Sequence, residues 1–413
     1  MAETICYIAG EFPKRSETFV YREVRALRRR GWIVRAVSLN RPADGDLAEF
    51  ADLCDGLRMV YGHHALRTMG HALAEVLWRP VRVLRTLRAA LRDARDPGEA
   101  MSGMGRVKLI AQAAAGIGLA RRLRRRGVRH IHCHFAHAPT TIGMYAAMQM
   151  GVGFSFTGHA NDLFQRRALL KRKLERAAFV ACISEWHREF YRAIHWRDDD
   201  AYVLVRCGVD VTAWQPRESP NGQVDRELQL LTVCRLVEKK GVDMLIRGAR
   251  AMQRETGRPW RLTIAGDGPD REKLSNLANE LGCRGSVQFI GAVENERVRQ
   301  LLGQTDLLAL PCRTDARGDR DGIPVVLMEA MACGVPVISG DLPAIRELIE
   351  HDVSGLLVDG TSEKEITGAL KRLADGVEER RRLGRGGRAR VEEEFALEMN
   401  VERLEQALRR AMQ

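Results

Sequence analysis

Short apolar runs rich in β-branched residues alternate with helical stretches along this chain, and after one polar break the alternation begins again. In the first half the runs are Thr4 to Ala9, a helical stretch Val20 to Arg30, then Trp32 to Leu39, and later Val128 to His134. A strand that feeds a helix and then another strand predicts a parallel sheet covered by helices. A polar, proline-containing stretch from Gln215 to Arg226 precedes the second set: Leu228 to Val233, Leu262 to Ala265, Val287 to Ile290, Leu307 to Leu310 and Val335 to Ile338. The pattern predicts two α/β domains, 1–206 and 207–395, facing each other across a cleft, because such sheets hold ligands at the carboxyl ends of their strands. A last helical stretch, Val401 to Met412 within 396–413, is placed to pack back on the first domain. With 413 residues, each domain is long enough for its own core.

Nine scattered cysteines with no C-x-x-C pair predict reduced thiols in a cytoplasmic protein and no zinc site. The amino terminus passes through Glu3 directly into Thr4–Ala9, which is not a secretory signal. No run reaches the ~18 apolar residues of a membrane span. The best, Leu109 to Ala120, is interrupted by Gln112, Gly116 and Gly118.

The net charge of +12 is concentrated: His64 to His130 hold 15 Lys and Arg against 4 Asp and Glu, a local +11. Within it Arg82, Arg85, Arg88, Arg92 and Arg95 fall on one side of a helix opened by Pro80, and Val83, Leu84, Leu87 and Leu91 on the other. This basic amphipathic helix is read either as a contact for an anionic membrane surface or as a solvated arginine face over an ordinary core face. Nucleic acid is not the expected partner, since no aromatic residues alternate with the arginines to stack bases.

Chemistry concentrates in the second half. In Asp321-Gly322-Ile323-Pro324-Val325-Val326-Leu327-Met328-Glu329, a loop carboxylate precedes a carboxylate inside a helix. Pro324 suits the helix start, so the backbone N–H groups of Gly322, Ile323, Val325 and Val326 are placed to hold an anion or a sugar hydroxyl. Glu329 lies one turn on, where it could bind a ribose diol or serve as a local salt bridge. In Thr232-Val233-Cys234-Arg235-Leu236-Val237-Glu238-Lys239-Lys240-Gly241, two cations near a strand's carboxyl end, Arg235 and Lys240, can clamp a diphosphate whose charge grows as it departs.

Together with Ala265-Gly266-Asp267-Gly268-Pro269, Phe289-Ile290-Gly291-Ala292-Val293, Asp306 to Pro311 and Gly355-Leu356-Leu357-Val358, these stretches resemble the retaining glycosyltransferases of family 4. The resemblance covers almost the whole chain and implies the GT-B architecture of two Rossmann-like domains. In the first half Phe12-Pro13, Ser16-Glu17-Thr18-Phe19-Val20 and Phe156-Thr157-Gly158-His159-Ala160-Asn161-Asp162 look like the branch that builds bacterial exopolysaccharides, colanic acid included. By this resemblance Arg235 and Lys240 bind the donor diphosphate, Glu329 the ribose, the backbone near Val293 the base, and Asp321 the transferred sugar. His159 contacts that sugar near the reacting centre, and Gly10 opens the loop that approaches the diphosphate. Three departures stand out: Asp321 where glutamate is usual, Cys234 where glycine often precedes the arginine, and Cys312 where serine usually follows the proline.

The implied reaction moves a hexose from a UDP- or GDP-sugar to a saccharide or lipid-linked saccharide, with retention, no metal and no further cofactor. Asp319-Arg320-Asp321 and Asp198-Asp199-Asp200 imitate a D-x-D metal motif and are read as non-metal sites; His132 and His134 are read as structural, and His63-His64 has no partner spacing for a metal. Location is expected to be cytoplasmic, peripheral on the inner face of the cell membrane. A sugar-nucleotide epimerase of similar fold and a non-catalytic basic scaffold that binds membrane or nucleic acid through 64–130 are the rival readings.

Overall fold

The computed structural model describes residues 3–15, 17–96, 102–159, 168–216 and 226–413. Ser16, Ala160, Asn161 and Asp162, and most of the polar break, lie outside the described residues. The chain divides into two compact units, Met1–Arg206 with Glu398–Gln413, and Cys207–Leu397.

The first unit is built on seven strands: β1 (Thr4–Ala9), β2 (Ile33–Ser38), β3 (Arg58–Met59), β4 (His130–His134), β5 (Gly153–Thr157), β6 (Phe179–Cys182) and β7 (Tyr202–Leu204). Their order is β3-β2-β1-β4-β5-β6-β7, and every pairing is parallel. Helices α1 (Thr18–Arg29), α2 (Asp44–Glu49), α3 (Ala65–Trp78), α4 (Pro80–Ala94), α5 (Gly103–Arg124), α6 (Ala138–Met150), α7 (Leu170–Arg176) and α8 (Glu185–Ile194) connect them. The second unit carries β8 (Leu228–Val233), β9 (Trp260–Ala265), β10 (Val287–Gly291), β11 (Leu307–Leu310), β12 (Val337–Gly340) and β13 (Leu356–Val358) in the order β10-β9-β8-β11-β12-β13, again parallel. Its helices are α9 (Val242–Thr256), α10 (Arg271–Glu280), α11 (Asn295–Leu302), α12 (Val325–Ala332), α13 (Glu363–Asp375) and α14 (Val377–Glu394). In each sheet the connections run first one way and then the other. The reversal falls between β1 and β4 and between β8 and β11, where open α/β sheets leave a crevice beyond the strand ends.

Strands buried on both faces explain the near-continuous apolar runs: Ile5 to Ala9 and Leu307 to Leu310 are wholly buried. The last helix, α15 (Leu397–Met412), returns to the first unit from Glu398 on. Its Glu405 accepts from Arg30 Nε at 2.6 Å, Asn400 Oδ1 accepts from the buried Arg206 N–H at 2.9 Å, and Arg409 lies over the Trp32 ring. All nine cysteines are free thiols. No helix among the described residues is long and apolar enough to cross a membrane.

The arginine helix needs correction. α4 buries Val83, Thr86, Ala90 and Asp93, while Leu84 and Leu91, expected on the core side, are exposed. The polar members of the buried face have partners there. Thr86 meets the Gln149 side chain at 3.1 Å, and Asp93 takes a two-pronged pair from Arg176 at 2.6 Å and a bond from Tyr145. Arg82 is also turned inward, donating to the Gln149 and Met150 carbonyls. A hydrophobicity pattern cannot register a buried polar group whose partner lies on another helix.

Candidate functional site

In the second unit, two glycines set the loops at the β8–β11 reversal. Gly266 has φ +140, and a Cβ there would lie 1.8 Å from the Cys234 carbonyl oxygen, so the turn after β9 can close on the end of β8 only as glycine. Gly241 has φ +66, and its Cβ would meet the Pro311 carbonyl oxygen at 2.1 Å. That approach lays the helical turn Glu238–Lys240 against the end of β11, where Arg313 N–H donates to the Lys239 carbonyl at 2.8 Å.

The result is a compact cluster of charges. Lys240 Nζ lies 2.7 Å from Asp321 Oδ2, and Lys239 Nζ lies 3.2 Å from Asp321 Oδ1 and 3.0 Å from Asp319 Oδ2. The Cys312 thiol donates to Asp321 Oδ2 at 3.3 Å. Burial opposes the charge on Lys240, but Asp321 outweighs it and holds the ammonium above the usual lysine range. Burial likewise pushes the Asp321 carboxyl up, and Lys240 and Lys239 together bring it below the usual carboxylate range. Burial and the neighbouring Asp321 carboxylate drive the Cys312 thiol well up, so it stays a donor.

Arg235 is exposed just past β8. Pro324 is the N-cap of α12, with Gly322, Ile323 and Val325 half-buried around it. Glu329, 4% exposed, is the one carboxylate on α12, a helix otherwise apolar and buried from Val326 to Ala332. Val293, Ile323 and Val325 pack on the same core cluster. The structure therefore joins Lys240 directly to Asp321, gathers Val293 with the start of α12, and leaves Arg235 at the rim of β8. Sequence reasoning missed Lys239, Asp319 and Cys312 as partners. The Lys-Lys pair and the Asp-x-Asp spacing were the available signals.

The first unit has its own cluster at the β1–β4 reversal. Gly10 follows β1, half-buried, its carbonyl accepting from Asn40 N–H at 2.9 Å. Phe135, directly after β4, has φ +72, a left-handed conformation that a bulky residue holds only where its surroundings impose it. His159 is 8% exposed, with its ring centroid 4.2 Å from Phe19 and 4.8 Å from Phe135, and it stacks on His134. Burial holds His159 well below the ordinary histidine range, so its ring is neutral.

Hydrogen bonds tie the cluster together. Glu23 Oε1 accepts from Tyr7 OH at 2.5 Å and lies 3.2 Å from His134 Nε2; His134 Nδ1 lies 3.3 Å from His159 Nε2. These contacts link Tyr7, Glu23, His134 and His159 in one chain of hydrogen bonds. His187 Nε2–H donates to the His159 carbonyl at 2.5 Å, and its Nδ1 then accepts from Ser184 Oγ at 2.6 Å. Burial raises the Glu17 carboxyl, at the start of α1, to about 7 despite Lys14 nearby.

Glu23, His132 and His134 are the group of metal-ligating side chains found close together among the described residues. Their nitrogens and oxygen are engaged in hydrogen bonds: His132 bonds Ser155 at 2.8 Å and Thr157 at 3.1 Å, His134 bonds His159 and Glu23, and Glu23 accepts from Tyr7. Both histidines serve a buried hydrogen-bond network. The second Asp run is surface: Asp199 pairs with Arg192 and Asp200 with Arg410.

The glycosyl transferases group 1 family matches residues 216–390. The chain is 36% identical over 183 residues to the amylovoran biosynthesis glycosyltransferase AmsK of Erwinia amylovora, covering 44% of this chain and 45% of that protein. It is 38% identical over 172 residues to the putative colanic acid biosynthesis glycosyltransferase WcaL of Escherichia coli, covering 42% and 41%. These alignments span less than half the length of either relative. A glycosyltransferase from Rickettsia africae superposes with a TM-score of 0.72 at 12% identity, over 100% of this chain and 99% of that one. The fold is GT-B.

Proposed function

We propose that this chain, which carries a glycosyl transferases group 1 domain over residues 216–390, transfers a hexose from a UDP- or GDP-sugar to a saccharide or lipid-linked saccharide in exopolysaccharide synthesis. The observation that carries the reading is the Lys239–Lys240–Asp319–Asp321 cluster at a strand-order reversal, beside the start of α12. Asp321 keeps Lys240 protonated in a buried place. Donor entry shares Lys240 between Asp321 and the β-phosphate, leaving an Asp321 oxygen to accept from a hydroxyl of the sugar. Arg235 takes the other side of the diphosphate, the α12 amino terminus adds its amide hydrogens, and Glu329 accepts from the ribose. In the first unit His159 and Gly10 stand at the β1–β4 reversal, the place where a sheet of this kind binds a ligand.

As the glycosidic bond to the diphosphate breaks, a diphosphate oxygen takes the proton of the attacking hydroxyl on the same face, and the new bond forms with retention. Each carboxylate of Asp319-Arg320-Asp321 is already countered by a lysine, and the departing charge meets Lys240 and Arg235, so the reaction runs without a divalent ion. The deciding experiment measures release of nucleoside diphosphate and the anomeric configuration of the product in excess chelator. Undiminished turnover with a retained anomer is expected. Complete loss restored by manganese overturns the metal-free mechanism, an inverted anomer overturns retention, and a new sugar nucleotide without free nucleoside diphosphate assigns an epimerase instead.

A further inference from the structure

We infer that the α3–α4 helical pair of the first unit docks on an anionic lipid bilayer by inserting an apolar stripe framed by arginines. Of the exposed large apolar side chains among the described residues, most fall between Leu66 and Val107. On α3, Leu66, Met69, Leu73, Val76 and Leu77 occupy an arc of about 100°, and Leu66 and Leu77 are 86% and 81% exposed. Trp78, 74% exposed, closes the helix. The opposite arc, with Thr68, Ala72 and Glu75, is buried. α3 therefore has one face for the core and a second apolar face that none of the described residues covers.

α4 continues the surface. Val81, Leu84 and Leu91 share its outer side with Arg85, Arg88 and Arg92, all exposed. Arg67 and Arg79 add charge on α3 and at the junction. Among the described residues of 64–96, no acid pairs with Arg85, Arg88 or Arg92. Between residues 64 and 96, Glu75 is buried against Arg124 and Gln149, Asp93 is buried against Arg176, and Asp96 pairs with Arg172 at 2.7 Å. Among the described residues the outward surface of the pair is thus apolar and cationic.

That composition selects its occupant. Arginine alone suits any polyanion, but an aliphatic stripe as wide as that on α3 gains nothing from a phosphate backbone and needs hydrocarbon. A second copy of the chain would set Arg85, Arg88 and Arg92 against their own kind. A leaflet with anionic headgroups satisfies both halves: acyl chains receive the leucines, Trp78 sits at headgroup level, and phosphates face the arginines.

The test is cosedimentation of the full chain with vesicles of phosphatidylcholine, alone or mixed with phosphatidylglycerol, without donor or acceptor. Strong binding to the mixed vesicles, weakened by salt, is expected. Arg85→Gln/Arg88→Gln/Arg92→Gln should lower partitioning about a hundredfold, and Leu73→Gln/Leu77→Gln/Trp78→Gln should abolish it, both variants keeping the circular dichroism of the parent. Arg254→Gln/Lys273→Gln/Arg297→Gln, exposed cations of the second unit, should change nothing. Binding unaffected by both α3–α4 variants, or reduced equally by the control, overturns the assignment. So does a dimer, seen by sedimentation velocity without lipid, that the leucine variant dissolves.

Discussion

Lys240 and Asp321 meet at 2.7 Å with only 15% and 12% of their side-chain surface left exposed, so each charge depends on the other. Removing one partner of a buried pair strands its counterpart, at a typical cost of about 3–5 kcal/mol. Asp321→Asn should therefore shift the denaturant midpoint of the second unit strongly downward. The double variant Lys240→Met/Asp321→Leu should lose less than the two single changes added together, because no orphaned charge remains. Additive losses in a double-mutant cycle would show that the two groups do not act as a pair.

Arg235 stands apart from that network, exposed beyond β8. Arg235→Ala should leave stability within about 0.5 kcal/mol while weakening donor binding or turnover by about tenfold to a few hundredfold, the worth of a charge-assisted bond. Titration calorimetry with UDP- and GDP-sugars, alongside thermal unfolding, separates these effects.

Gly241→Ala tests how the lysine turn is held. A methyl group would need to share space with the Pro311 carbonyl oxygen at a left-handed φ, and the conformation alone costs roughly 1–2 kcal/mol for an alanine. The turn should shift, taking Lys239 and Lys240 from Asp321. Reduced stability together with reduced donor affinity is expected; unchanged donor affinity would detach the lysines from donor binding.

Glu17 gives the first unit a pH dependence of defined sign. Its carboxyl is raised from 4.5 to about 7 by burial, so the folded chain holds the proton more tightly than the unfolded one. The resulting stabilisation is complete below about pH 4.5 and is lost as pH rises through 7, on the order of 3 kcal/mol at most. Glu17→Gln should flatten the stability profile between pH 5 and 8 relative to the parent, measured by denaturant unfolding. Parallel profiles would contradict it.

Strands with both faces buried were legible: β1, β8 and β11 are the runs Thr4–Ala9, Leu228–Val233 and Leu307–Leu310. The strands β3, β6, β7 and β13, two to four residues each, carry too little pattern to stand out, and the five residues of β5 include Gly153 and two polar positions. The outer face of α4 was misassigned because Thr86 and Asp93 point inward to partners on α6 and α7. The candidate site was half legible. Lys240 and Asp321 were each recognisable from their own stretch, but their pairing follows from how Gly241 packs on the end of β11. Likewise the contact of His134 with His159 follows from β4–β5 register, which sets His134 opposite Thr157.

Because α15 closes onto the first unit from Glu398 onward, the unit whose synthesis begins before the other is completed after it. The second unit is one uninterrupted segment and can finish folding during translation, whereas Arg30, Trp32 and the Arg206 amide wait for residues that emerge after it. Premature termination near residue 397 would leave a sound second unit tethered to a first one that exposes the surface α15 should cover.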